Sequence, residues 1–309
     1  MPSRRLLCAV PRGHAADLAP LFAAYAARRV EVRSWLYGGD VPEEPALGAA
    51  AADCDAVLLV GRGERAPGTV LSGPVLATAS GRRIPIGWVP VVDRASLARF
   101  VSTAVRLHER AHSVPSVALL AQRHPRFLRL TDRIEAILDG GERRRTVFRW
   151  TSDALVREDL IRALASGLGS AIYVGHGRPT GWTGYYGLRA RHFDGFTGEP
   201  LGALIALCCR TASRRRTRLS FAEALPLKGV CGAVFGAVSA TLHTDNTRWA
   251  VRLSDAYLHG ARTLADLVLA ALPATARQVA PYRILGDPLC PLRAPARGLR
   301  RARAVEVYA

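Results

Sequence analysis

Apolar and polar positions along this chain alternate with two periods. Short apolar runs at 6–10, 57–60 and 84–89 read as buried strands. The stretches 15–29 and 96–109 carry apolar residues at helical spacing; in the second, Leu97, Phe100, Val101, Ala104, Val105 and Leu107 make one stripe. The segment 111–116, rich in turn-forming residues, reads as a joint, and beyond it the alternation restarts. Strands are expected at 117–120, 146–150, 171–174, 202–208 and 233–238, and helices at 127–138, 248–258 and 264–272. Asp153 stands where it would cap a helix starting at Ala154. Ser220 precedes a helix over Phe221–Leu227, with Glu223 three residues on, as a capping box requires. Strands alternating with helices predict a parallel-rich α/β sheet covered on both faces. Two units follow: an N-terminal α/β subdomain over 1–113 and a second over 114–309.

The 309 residues hold 49% hydrophobic and 22% charged residues, which excludes a disordered chain and leaves room for proper cores. The formal net charge is +18, yet Lys228 is the single lysine among 43 cationic side chains. That bias belongs to arginine usage across the whole chain rather than to a dedicated polyanion surface. The arginine runs at 143–145, 214–216 and 297–303 lack interleaved aromatics, so nucleic acid is not an expected partner. The apolar stretch after Arg4 and Arg5 ends at Pro11, too short for a secretory core, and the run 229–242 is too glycine-rich and short to span a membrane. A soluble, cytoplasmic protein with no membrane partner is expected. Cys8, Cys54 and Cys231 lie in apolar contexts as core thiols. No C-x-x-C pair is present, and neither a metal nor a cofactor is expected.

In open α/β sheets, reactive residues collect beyond the carboxyl ends of strands. Two such ends stand out. The strand at 171–174 runs into Gly175-His176-Gly177, where the glycines let the chain turn and a substrate approach the backbone. The strand at 202–208 runs into Cys208-Cys209-Arg210-Thr211-Ala212. Adjacent in one sheet, the two ends bring together an imidazole and a thiol, a base and a nucleophile, 33 residues apart in sequence.

These stretches resemble the gingipain-type cysteine peptidases, within the wider caspase-like clan. The likeness is carried by 173–177, by Trp182, by Cys208-Cys209-Arg210-Thr211-Ala212, by 220–225 and by Tyr282-Arg283-Ile284-Leu285-Gly286-Asp287-Pro288. Upstream, 84–90 and the helix after it resemble the end of the family's first subdomain, so the likeness runs from about residue 80 to residue 290. It implies a caspase-like parallel-rich sheet flanked by helices, preceded by a smaller α/β subdomain. It implies a cysteine endopeptidase acting on protein or peptide substrates. His176 takes the catalytic histidine's place and Cys209 the nucleophile's. The backbone N–H groups of Gly177 and Cys209 take the place of the oxyanion donors, while Cys208 and Asp287 are structural. Two departures concern specificity. The loop after the strand at 117–120, where arginine-specific relatives present an acid, reads Gln122-Arg123-His124-Pro125-Arg126. The family's aromatic wall falls near His243, and Asp245 is the nearest acid.

A dyad with an acyl-enzyme is the expected mechanism, because a thiolate is nucleophilic enough to need no third member. Trp182, Tyr185 and Tyr186, in a glycine-rich loop after His176, either wall the substrate groove or pack that loop onto the body. Arg210 and Arg214–216 add positive charge around Cys209, so an acidic or uncharged residue is expected on the acyl side of the scissile bond rather than arginine or lysine. The rival reading is a non-catalytic caspase-like module for regulation or protein contact.

Overall fold

Each apolar run is bounded by turn formers and too short for a helix, so it buries itself by pairing with its neighbours. The structure, a computed structural model, describes residues 3–110, 113–140, 146–295, 300 and 302–303. Ala111 and His112 of the expected joint lie outside the described residues, as do the arginines at 143–145 and most of the 297–303 run. The strands are β1 (Arg4–Pro11), β2 (Val30–Tyr37), β3 (Ala56–Arg62), β4 (Val75–Ala77), β5 (Arg83–Val91), β6 (Ser113–Ala121), β7 (Thr146–Thr151), β8 (Ser170–Val174), β9 (Gly177–Arg178), β10 (Gly181–Trp182), β11 (Leu201–Leu207), β12 (Cys231–Ala237), β13 (Tyr282–Gly286) and β14 (Arg293–Pro295).

Twelve of them form one sheet in the order β14-β6-β8-β11-β12-β13-β5-β3-β1-β2, with β4 added on β5 and β7 on β6. Most pairs are parallel; β12–β13, β14–β6 and β4–β5 are antiparallel. The strands of residues 4–91 and those of residues 113–295 meet where Ile284 and Leu285 of β13 pair with Gly87 and Trp88 of β5. β9 and β10 make a separate two-stranded ribbon.

Helices cover both faces, which is the mixed, mostly parallel α/β arrangement that the alternation predicts. They include α1 (Ala19–Ala27), α2 (Arg94–His108), α3 (Pro125–Asp139), α4 (Arg157–Leu164), α5 (Phe221–Leu227), α6 (His243–Leu258) and α7 (Leu264–Ala271). The period-2 rule shows along β8: Ala171 and Tyr173 enter one core with Leu160, Trp182 and Phe221. Ile172 and Val174 enter the opposite core with Phe127, Ile134 and Trp249. No helix among the described residues is long and apolar enough to cross a membrane.

Three local expectations change. The helix expected over 15–29 opens with 3-10 turns at Arg12–His14 and Ala16–Leu18, and α1 begins only at Ala19, with Pro20 in its first turn. Asp153 caps nothing: residues 152–154 form a turn, Val156 stays extended, and α4 starts at Arg157. β2 lacks a continuous apolar run because it is an edge strand whose Glu31, Arg33 and Ser34 are exposed. The Ser220 capping box forms as expected, with Ser220 Oγ accepting from Glu223 N and the Glu223 carboxylate accepting from Ser220 N at 3.0 Å.

That carboxylate does more than cap. Arg214, seven residues beyond the end of β11, is 10% exposed and reaches Glu223, which is fully buried, at 2.5 Å. Arg214 Nη1 also donates to the Gly63 carbonyl just past β3. One buried ion pair therefore ties the loop after β11 both to α5 and to the first four strands of the chain. The cationic run at 214–216 is thus not a uniform solvated patch, since its first member is spent inside the protein.

Removing one partner of a buried pair leaves the other charge uncompensated, at a cost of about 3 kcal/mol or more. Glu223→Gln should therefore lower the urea midpoint of unfolding by an amount equal to at least about 2 kcal/mol. Glu158→Gln, which breaks an exposed pair with Arg157, is the control and should leave the midpoint unchanged. Equal midpoints for wild type and Glu223→Gln would contradict this role.

Candidate active site

β8 and β11 pair in parallel with Val174 opposite Leu207. His176 stands two residues beyond Val174, and Cys209 two beyond Leu207. The register thus sends the imidazole and the thiol off equivalent positions of neighbouring strands, whose spacing is about 4.8 Å. Gly177 closes the gap: a Cβ there would run into the Cys209 carbonyl oxygen and the Cys208 Sγ. Only glycine lets the two loops approach this closely.

The backbone of His176 is fixed from three sides. Its N–H donates to Gln122 Oε1 at 2.9 Å, and its carbonyl accepts from Thr183 N at 3.1 Å and Tyr173 Oη at 3.2 Å. Gln122 Oε1 also accepts from Thr183 Oγ1 at 3.0 Å, so the glutamine in the place of an expected acid is a strut for the histidine loop. The ring of His176 meets Phe127 edge-to-face at 5.3 Å, and the ring of His243 meets Phe127 edge-to-face at 5.8 Å. Partial burial lowers the pKa of His176 below the usual histidine value, and the charges of Arg126 and His124 lower it further. The imidazole is therefore neutral at pH 7 and free to take a proton. His243 is lowered by burial and by Arg126 in the same way.

Cys208 is fully buried, and desolvation raises its thiol pKa, so it stays protonated. Cys209 is half-buried, and its Sγ accepts from Thr241 N at 3.4 Å. The next residue, Arg210, has φ of 59°, a left-handed conformation that costs an ordinary side chain about 1–2 kcal/mol. The turn is held by Arg210 N donating to Ser239 O at 3.0 Å and Ala212 N to Ala237 O at 2.9 Å. A sharp, strained turn thus presents Cys209 while Cys208 stays in the sheet. Neither this turn nor Thr241 carries a signal in the sequence.

The remaining candidates separate. Trp182 does not line an open groove: it is 1% exposed, stacked on Tyr173 at 3.9 Å and tilted against Phe221. Its size made it a candidate wall, but the two-residue strand β10 turns it into the core under the histidine loop. Tyr185 is buried likewise and donates to the Trp150 carbonyl, whereas Tyr186 is 79% exposed. Asp245 sits in the first turn of α6 and lines a cavity of about 230 Å³ with Thr241, Leu242 and Tyr282. It is nearly buried and already engaged, accepting from Gln278 Nε2 at 3.0 Å with Arg248 at 3.5 Å and Arg277 at 4.0 Å. Arg126 stacks over Phe127 at 4.8 Å, and its Nε is buried without a hydrogen-bond partner. Asp287 is fully buried and structural, accepting from Tyr25 Oη at 2.7 Å and facing His108 Nε2 at 2.7 Å. Among the described residues no three His, Cys, Asp or Glu side chains gather as a metal site.

Compared with known proteins, residues 50–293 match the sequence model of Peptidase family C25. No curated protein matches. Among solved structures, the Arg-specific cysteine proteinase gingipain R superposes with a TM-score of 0.73 at 14% identity, over 94% of this chain and 78% of that one. The complex of Porphyromonas gingivalis RgpB pro- and mature domains gives 0.72 at 14% identity, over 93% of this chain and 79% of that one. A third structure, described as a protease, gives 0.71 at 15% identity, over 95% and 79%. At such identities the superpositions speak for a shared fold.

The charge of Arg126 opposes protonation of His176, so removing it should raise that pKa. In an NMR titration of the imidazole C–H signals, wild-type His176 should titrate below the usual 6.5 or so, and Arg126→Gln should bring it back upward. An unchanged midpoint in the variant would contradict the assigned cause.

Proposed function

The chain belongs to peptidase family C25, a family of cysteine peptidases, and from that premise we propose that it hydrolyses peptide bonds with Cys209 as nucleophile and His176 as acid–base partner. One observation supports the reading: the register of β8 on β11, tightened at Gly177, which makes the strand ends that carry these two residues neighbours. On this reading residues 114–309 carry the chemistry, and 1–113 form a subdomain that buttresses it through the Gly63 contact of Arg214. The cysteines are free thiols, which suits work in a reducing cytoplasm.

His176, neutral at rest, takes the Cys209 proton as Sγ attacks the scissile carbonyl carbon. The carbonyl π pair moves onto oxygen, and the N–H groups of Gly177 and Cys209 stabilise that oxyanion, each such donor being worth about 3 kcal/mol. The oxyanion collapses, the C–N bond breaks, and the imidazolium gives its proton to the leaving amine. A water then loses a proton to His176 and attacks the thioester, the tetrahedral intermediate expels Sγ, and the proton returns to Cys209. Thr241 meets Sγ with both its N–H and its carbonyl, which fixes the position of the sulfur.

Cys209→Ala should abolish amidase activity, whereas Cys208→Ala should keep turnover and lose stability, because Cys208 fills the core. His176→Ala should fold and lose about 10²–10⁴-fold in kcat. Full activity in either Cys209→Ala or His176→Ala would overturn the dyad. No amidase activity in the intact wild type against any peptide of a broad library would favour the non-catalytic module instead.

For specificity, Arg126 is the cation whose charge reaches His176, and no carboxylate among the described residues pairs with it. Asp245 is already satisfied by Gln278 and two arginines. An acidic or uncharged residue before the scissile bond follows, since a buried guanidinium favours a carboxylate partner. In a matched set of fluorogenic peptides differing at that position, Asp, Ala or Leu should exceed Arg in kcat/KM. A value at least tenfold higher for Arg would contradict this and point to Asp245.

A further inference from the structure

A second cavity lies at the opposite edge of the catalytic strands. Its volume is about 740 Å³, over three times that beside Asp245. It is lined where β1 and β2 begin, at Arg4 and Val30, and by Arg293 of β14. Arg293 pairs with Pro115 at the amino end of β6, whereas His176 and Cys209 lie beyond the carboxyl ends of the parallel strands β8 and β11. The cavity is thus distinct from the peptidase site. That volume suits a small molecule of ordinary metabolite size.

Its walls are predominantly cationic. Five arginines line it, namely Arg4, Arg28, Arg29, Arg262 and Arg293, joined by His259 and opposed by the single acid Asp266. Some of these have structural work. Arg28 donates from Nε and Nη2 to the carbonyls of His108 and Arg110, and Arg4 pairs with Asp266 at 2.7 Å. These contacts hold the guanidinium groups in place at the wall. A rigid, buried section of the same wall is His108, 5% exposed and held by Asp287 and the ring of Tyr25.

Arg29 does not fit a structural role. It follows the last turn of α1, where the chain is in the left-handed region with φ of 58°. Glycine is favoured there, and an arginine costs about 1 kcal/mol more than glycine does. Its side chain has no partner among the described residues. An exposed arginine held in a conformation that disfavours it, its charge unspent on the lining of an arginine-rich cavity, has a ligand as its natural counterpart.

We infer that this cavity binds a small polyphosphate, a compact anion of several negative charges. The chemistry follows from the lining: planar guanidinium groups recognise phosphate oxygens in pairs, and several around one pocket demand several charges on one small ligand. A flexible single strand of nucleic acid would need stacking faces as well, and the lining residues include no Phe, Tyr or Trp.

The test uses the full chain and inorganic tripolyphosphate as probe, at 150 mM salt. Isothermal titration should give one site with a Kd below about 100 μM, and saturating tripolyphosphate should raise Tm by about 3 °C or more. Arg29→Gly separates a ligand role from a structural one, because it relieves the left-handed strain while deleting the charge. It should raise the Tm of the unliganded protein and weaken tripolyphosphate binding at least tenfold. Arg262→Glu, which reverses another charge of the lining, should weaken binding further. No saturable binding by wild type, or unchanged affinity in Arg29→Gly, would overturn the inference. So would tighter binding of a single-stranded oligonucleotide than of tripolyphosphate.

Discussion

The parallel register of β8 on β11 is the constraint on which the rest of this site depends. Once Val174 stands opposite Leu207, His176 and Cys209 leave the sheet from equivalent positions, and no loop has to search for the other. A slip of one residue would turn Tyr173 and Cys208 out of their core and send every alternate side chain to the wrong face. The register is therefore enforced by burial on both faces, far from the reacting atoms. What remains for the loops is fine placement. Gly177 allows contact with the cysteine turn, Gln122 and Thr183 pin the histidine backbone, and the strained Arg210 lifts the thiol out of the sheet.

This geometry puts two adjacent cysteines in opposite environments. Cys208 ends the buried alternation and behaves as a small apolar residue whose thiol desolvation keeps neutral. Cys209, one residue later, is past the pairing, half-exposed and touched by the Thr241 N–H. The electrostatics on the histidine side follow the same economy. Burial and Arg126 keep His176 neutral, which suits a proton acceptor, and the Phe127 ring packs edge-to-face with both His176 and His243.

The fold, and the two strand ends that carry the candidate dyad, were legible because they rest on short-range patterns. Apolar strands of a doubly covered sheet stand out as continuous runs, and the chemistry follows their carboxyl ends, as Gly-His-Gly and Cys-Cys do here. The Ser220–Glu223 box was legible for the same reason, being local. What the sequence hid is long-range. β2 is an edge strand with only partial burial, and Asp153 lost its capping role because the chain stays extended to Val156. Trp182 was a plausible groove wall until its stacking on Tyr173 placed it in the core. Arg214 looked like surface charge, and only the fold brings Glu223 and Gly63 to it. The strut of Gln122 and the amide of Thr241 depend on contacts across 54 and 32 residues, which no spacing rule reports.

The central claim is that Cys209, of all the cysteines, is the nucleophile, and that His176 activates it. Its most direct test is the site of covalent capture by a mechanism-based electrophile. The full-length protein is treated with a peptidyl acyloxymethyl ketone, and the adduct is mapped by intact-mass and tandem mass spectrometry. The account predicts one equivalent of label on Cys209, formed in wild type and strongly slowed in His176→Ala. Label on Cys208 or another cysteine, or equal labelling rates with and without the His176 imidazole, would contradict it.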